Sequence, residues 1–291
     1  MTTAALLLIV LGVFGISYVA PFAITQPPRL NESITPDDLG LKSNQLAVKT
    51  MDDIELSGHW IKSAADTSKG VVILLHGIGG CKEHFLGLAK ELSMNGIESI
   101  VFDGRAHGKS GGEFCTYGFK EKKDVAQIVD KIKEQEPELN IGIWGNSMGG
   151  AIAIQSLEYD ERIEFGIIES TFTELNQIVF DYKRRILKGF GIRSISDYAL
   201  KRAGKVADFE PLKIRPIESV KNIEQPVFLA HGDSDPNISF SYGEQLFNDL
   251  KSTDKEFTLV KNGGHFNLFD KGGKEYKEKI FAFIERNLTK G

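Results

Sequence analysis

Short, predominantly apolar runs recur along this chain, each followed by a longer stretch in which apolar and polar residues alternate with helical spacing. The runs are Val71–Leu75, Ile97–Phe102, Ile141–Trp144, Ile163–Ile168, Val227–Ala230 and Phe257–Val260. Continuous apolar character is what a strand covered on both faces requires. The stretches between them predict helices near Lys82–Met94, Phe119–Glu134, Met148–Glu158, Ser239–Leu250 and Gly273–Asn287. Ahead of the first run, Gln45–Lys49 and Ile54–Lys62 alternate and read as an opening pair of strands. Strand and helix in alternation imply an α/β fold with a mostly parallel central sheet and helices on both faces.

Two segments break this rhythm. At the amino terminus, Ala4–Ile24 carries no charge; as a helix it measures roughly 31 Å, the thickness of a bilayer's hydrocarbon core. A cleaved signal peptide competes with this reading, but it wants a basic leading region, a shorter apolar core and a small-x-small cleavage site. The expectation is therefore a single-pass amino-terminal anchor (residues 1–24), the alternative being a secreted or periplasmic chain after cleavage. Arg29 and Lys42 are too few to orient it. A proline-bearing linker follows (25–41), and then one domain (42–291). The second break lies between Ser170 and Pro211, where a long stretch separates successive strands. Leu175, Ile178, Val179, Tyr182 and Ile186 recur there at helical spacing, with Lys183, Arg184, Arg185 and Lys188 largely opposite. Such an insertion (about 171–210) reads as a lid over a site; a packed excursion with a solvated basic face is the plainer reading.

Composition narrows the function. The chain has 291 residues, 41% of them hydrophobic and 26% charged, and is fit for a packed core rather than disorder. A formal net charge of -5 argues against a nucleic-acid surface, which needs a clustered positive excess. Cys81 and Cys115 can form at most one bridge and lack the company of a zinc site.

The chemistry sits at the ends of the apolar runs. The pattern G-x-S-x-G occurs twice, at Gly108–Gly112 and at Gly145–Gly149. Only the second follows a strand and opens a helix, the setting in which a strained turn lifts a serine hydroxyl above the sheet. Ser147 is thus the candidate nucleophile, and Ser110 reads as part of a flexible turn. A serine needs a base within reach. His265 stands in Asn262–Phe266 directly after the last run and is the only histidine beyond His231. The acid that orients such a base comes from His231–Asn237, where Asp233 and Asp235 both qualify. The loop His76–Gly80 follows the first buried strand, so the amides of Ile78 and Met148 are the expected oxyanion donors. Glu169 and Glu174 flank the insertion and could select a cationic substrate, although capping or solvent exposure is the simpler expectation.

These motifs together resemble the α/β-hydrolase superfamily, in particular its lipase-, esterase- and serine aminopeptidase-like branch. The likeness covers His76-Gly77, Asp103–Ser110, Gly145–Gly149, His231–Asp235 and Gly264-His265. The resemblance selects Asp235, since the family's acid usually stands four residues after the histidine of that loop, and it implies a lid where 171–210 falls. Ala106 departs from the glycine many relatives carry. The implied activity is hydrolysis of a carboxylic ester, with a lipophilic acyl group favoured by the lid and the anchor. It would run through Ser147, His265 and Asp235 and an acyl-enzyme, with a small-molecule ester as substrate and no cofactor or metal. A thioesterase, amidase or peptidase on the same triad is the first alternative, and a non-catalytic binding or scaffold protein the second. An epoxide hydrolase or dehalogenase would need a carboxylate where Ser147 stands.

Overall fold

The computed structural model describes residues 12 and 14–288. The apolar runs become the spine of an eight-stranded sheet in the order β1-β2-β4-β3-β5-β6-β7-β8. Its strands are β1 (Ser43–Lys49), β2 (Glu55–Ile61), β3 (Val71–Leu75), β4 (Glu98–Phe102), β5 (Ile141–Asn146), β6 (Phe165–Glu169), β7 (Val227–Gly232) and β8 (Lys255–Val260). From β4 through β8 all neighbours pair parallel, whereas β1 with β2 and β2 with β4 pair antiparallel. That division follows the sequence pattern. β3, β4 and β6 are buried at every position, while β1 at the edge alternates between core and solvent.

Helices cover both faces. They are α1 (Ala20–Thr25), α2 (Leu86–Met94), α3 (Glu121–Gln135), α4 (Met148–Tyr159), α5 (Leu175–Ile186), α6 (Arg193–Ala207), the short α7 (Pro216–Ser219), α8 (Phe240–Asp249) and α9 (Leu268–Leu288). One core lies between the sheet and α3 and α4, around Ile128, Ile132, Ile154 and Leu157. The other lies under α2 and α9, around Leu92, Trp144, Phe228 and Phe283. α9 starts ahead of the predicted Gly273 and bends there, because Gly273 adopts φ 58°, ψ -148° and breaks the helix into two pieces. The insertion holds two helices: α5, which carries the predicted apolar face, and α6, which the apolar spacing did not announce.

Half of the predicted anchor, residues 1–11 and 13, lies outside the described residues. Its later part is helical: a π-helical turn at Gly15–Val19 runs into α1. No helix among the described residues is long and apolar enough to cross a membrane. The described part rests on the domain instead. Thr25 is fully buried, the Cys115 amide donates to the Thr25 carbonyl at 2.8 Å, and the Tyr117 hydroxyl donates to the Ile24 carbonyl at 2.5 Å. Arg29 then donates to the carbonyls of His107, Gly108, Ser110 and Gly112 at 2.5 to 3.3 Å.

Candidate active site

The turn from β5 into α4 holds Ser147 at φ 57°, ψ -120°. This is a left-handed conformation that costs a non-glycine residue of order 1–3 kcal/mol and needs outside support. The support is visible. The Ser147 amide donates to the Glu169 carbonyl at 2.9 Å, and the Thr171 hydroxyl donates to the Ser147 carbonyl at 2.7 Å. The glycines either side are obligatory. A Cβ on Gly145 would stand 2.2 Å from the Gly149 carbonyl oxygen, and one on Gly149 would stand 2.0 Å from that of Leu75.

His265 lies in the loop after β8. Its Nε2 is 2.9 Å from Ser147 Oγ, and its Nδ1 is 2.7 Å from Asp235 Oδ2. The loop is held to the elbow by Asn146, whose side-chain amide donates to the His265 carbonyl at 3.3 Å. Gly232 lets the end of β7 press against that loop, since a Cβ there would meet the Gly263 carbonyl oxygen at 2.2 Å. Asp235 accepts the amides of Asn237 and Ile238 on its other oxygen at 2.7 and 3.0 Å. Burial pushes its carboxyl up. Hydrogen bonds from His231 and His265, the nearby imidazole charge and the Ile238 amide outweigh burial and hold it well below the usual carboxylate range. Asp233, by contrast, faces solvent and accepts the Asn262 amide at 2.7 Å and the Ser234 hydroxyl at 2.9 Å, as a turn carboxylate does. The structure therefore brings Ser147, His265 and Asp235 into one hydrogen-bonded line.

The loop after β3 passes beside the serine: a Cβ on Gly77 would lie 3.2 Å from Ser147 Cβ. Met148 opens α4, so its amide has no acceptor within the helix, and Ile78 borders the cavity that contains Ser147. His76 is occupied elsewhere. Its Nε2 accepts the Gly104 amide at 2.9 Å and its Nδ1 donates to the Gly77 carbonyl at 2.8 Å. Burial first, and then the neighbouring His107, lower its pKa to about 4, so it is a neutral strut.

Two cavities adjoin the line. The first, of about 490 Å³, contains Ser147 and is walled by apolar side chains of α5 and α6, among them Ile178, Val179, Ile186 and Ile195. The second, of about 590 Å³, lies on the far side of Ile78 and is more polar, with His84, Glu91, Asp270 and Lys277 on its wall. Glu169 borders that second cavity but neither caps nor faces water. It is buried and accepts Trp144 Nε1 at 2.9 Å and the Tyr276 hydroxyl at 2.5 Å, and burial raises its pKa. Glu174 pairs with Arg215 at 2.6 Å.

Cys81 and Cys115 are both buried and unbridged. Glu32, Cys81 and His84 hold their ligand atoms within 4.8 Å of one another. Burial pushes the Cys81 thiol up to about 11, which disfavours the thiolate a metal would bind. Sequence reasoning passed over His231, Thr171 and Asn146 as supports of the line; of these only His231 had a signal, its place in the motif that pointed to Asp235.

The family described as serine aminopeptidase, S33, matches residues 66–201. Among curated proteins, an uncharacterized protein of Bacillus subtilis (YqkD) is 27% identical over 195 residues, covering 65% of this chain and 63% of the relative. The lysophosphatidylserine lipase ABHD12 of Gallus gallus is 28% identical over 215 residues, covering 69% of this chain and 52% of its own length. The chain thus spans between half and two thirds of these relatives. Among solved structures, the esterase Pf2001 of Pyrococcus furiosus superposes with a TM-score of 0.76 at 26% identity, over 90% of this chain and 98% of the esterase.

Proposed function

We propose, from the premise that this chain belongs to the α/β-hydrolase superfamily, that it is a serine hydrolase cleaving carboxylic esters with a lipophilic acyl group. The observation that carries the reading is the line Ser147–His265–Asp235 opening onto an apolar cavity. In the proposed reaction His265 Nε2 takes the Ser147 proton as Oγ attacks the ester carbonyl. Asp235, held ionised by its hydrogen bonds, keeps the imidazole oriented and balances its charge. The amides of Ile78 and Met148 receive the oxyanion, a contribution of about 3–4 kcal/mol per donor in comparable sites. The leaving alcohol takes the proton from His265, and water then releases the acid by the same relay.

The cavity wall favours an ester over an aminopeptidase substrate. A peptide's ammonium terminus would need a carboxylate near the serine. The described residues lining this cavity include Lys183 and no acidic side chain. The esterase Pf2001 and the lysophosphatidylserine lipases among the relatives support the same class. The proposal also keeps residues 1–24 as a membrane-associating element, supported by the uncharged run Ala4–Ile24. Residues 25–41 serve as linker, and 42–291 as the hydrolase domain with α5 and α6 in the lid at about 171–210.

The test is labelling of the full chain, in detergent, with a fluorophosphonate, followed by turnover of matched ester, thioester and anilide substrates. The adduct is expected on Ser147, absent in His265→Ala and Asp235→Ala but present in Asp233→Ala, with esters of medium or long acyl chains preferred. Preference for the anilide would replace the esterase reading by a peptidase one, and a folded chain that never labels would return it to the scaffold class.

A further inference from the structure

The helical segment from Gly15 to Thr25 presents three distinct faces. Ser17, Pro21 and Thr25, spaced by four, are buried against the domain. Phe14, Tyr18 and Phe22, also spaced by four, are exposed. Between them Ile16, Ala20, Ala23 and Ile24 line the same cavity as Ser147. The segment is fastened to the domain from end to end. Ser17 Oγ lies 3.3 Å from the Tyr198 hydroxyl, and Arg202 Nε donates to the Ser17 carbonyl at 3.3 Å. Beyond it the Tyr117 and Cys115 bonds hold Ile24 and Thr25. Tyr117 itself borders the cavity. A further wall of the acyl cavity therefore comes from the amino-terminal run, which packs beside α6.

Side-chain size along that wall is informative. Two of its four cavity-facing residues are alanines, between isoleucines at 16 and 24. Small residues there widen the cavity next to the helix without exposing backbone, and a pocket of this volume is in the range that encloses a small ligand. Filling it with a larger side chain subtracts room from the ligand and leaves the hydrogen-bonded line around Ser147 untouched.

We propose that residues 15–25 are part of the substrate site: the acyl chain of the ester lies against Ile16, Ala20, Ala23 and Ile24, and the alanines set the length of chain accepted. This rests on the reading of Ser147 as the nucleophile of an ester hydrolase. Chain-length selectivity is then a property of the amino-terminal helix, and removing the apolar run to obtain a soluble domain removes a wall of the site with it.

The experiment uses the full chain in detergent and p-nitrophenyl esters from acetate to dodecanoate, with fluorophosphonate labelling run in parallel. Ala20→Phe and Ala23→Phe are expected to slow the long esters far more than acetate. The same variants should lower the long-to-short ratio of kcat/KM by about tenfold or more, since losing room for one or two methylenes costs that much. Ile16→Ala is expected to shift the preference toward longer chains, a change of opposite sign that no folding defect produces. Val19→Phe, which adds bulk on the exposed side of the helix, should reproduce the parent profile. Profiles of the two alanine variants and of Ile16→Ala that superimpose on the parent, with labelling at Ser147 intact, would overturn the proposal. Failure of the parent itself to label or to hydrolyse any ester is a different result, which removes the hydrolase reading on which this one stands.

Discussion

Ser110 and Ser147 occupy the middle of the same five-residue pattern, are both buried, and share nothing else. Ser110 sits in a loop after β4, where its hydroxyl donates to the Asp103 carbonyl at 2.6 Å and accepts the Ser57 amide at 2.8 Å. It staples β2 to the loop and has no base beside it. The Ser147 hydroxyl meets no backbone group; its partner is an imidazole. The glycines differ in the same way. Gly108 is required because a Cβ would overlap the Asp103 carboxylate, itself held by the Lys82 ammonium at 2.6 Å, whereas Gly145 and Gly149 are required by a backbone that crosses itself. A serine flanked by glycines thus becomes a candidate nucleophile only when a strand drives it into a left-handed turn and another loop brings a base.

The contrast can be broken most forcefully by deleting each hydroxyl. Ser147→Ala should cost on the order of a millionfold in kcat, as loss of a triad serine does elsewhere, with the unfolding midpoint unchanged or raised by relief of the surroundings. Steady-state turnover of a short ester, with urea unfolding alongside, measures both. The next effect in size concerns the seam between the loops after β3 and β4, where the rings of His76 and His107 meet at 4.8 Å. Burial lowers both pKa values, that of His76 to about 4 from 6.5. Between those values the unfolded chain binds the proton and the folded chain does not, so stability present above pH 6.5 is lost as pH falls toward 4. For His76 the slope should reach about 1.4 kcal/mol per pH unit, with His107 adding to it in the same direction. Urea midpoints taken at successive pH values check it, and His76→Gln should flatten the curve. The smallest effect is expected from Ser110→Ala: about 1–3 kcal/mol of stability for the unpaired Ser57 amide and Asp103 carbonyl, with kcat unchanged. A large loss of kcat in a folded Ser110→Ala would erase the distinction between the two loops.

Much of this was legible in the chain because buried parallel strands advertise themselves. β3, β6 and β7 coincide with apolar runs to within two residues, and the elbow, His265 and the His231–Asp235 loop each follow such a run. Less legible were features that depend on what a segment packs against. The inner face of α6 is built of Ser196, Ala199, Ala203, Gly204 and Ala207 around the single leucine Leu200, so its apolar signal is weak. Ala4–Ile24 reads as a span because an uncharged run looks alike whether it faces lipid or its own protein. Only the hydrogen bonds to Tyr117, Cys115 and Tyr198 reveal that its later part lies on the domain. Glu169 carries no sign in the sequence that Trp144 and Tyr276 will enclose it. The left-handed backbone at Ala106, φ 63°, is one that a glycine would adopt at lower cost.

The seating of the amino-terminal helix also bears on the order in which the molecule assembles. Its bonds join residues far apart in sequence: 78 to 83 positions for Arg29, 93 for Tyr117 with Ile24, and 185 for Arg202 with Ser17. Each closes a long loop and has no local contact to lean on, so the entropy of closure is met only after the sheet and α6 exist. The helix at Gly15–Thr25 then docks after the elements it rests on. A segment whose hold is this non-local opens at a lower free energy than the strands beneath it, so the cavity beside Ser147 can lose one wall while the rest of the protein stays folded.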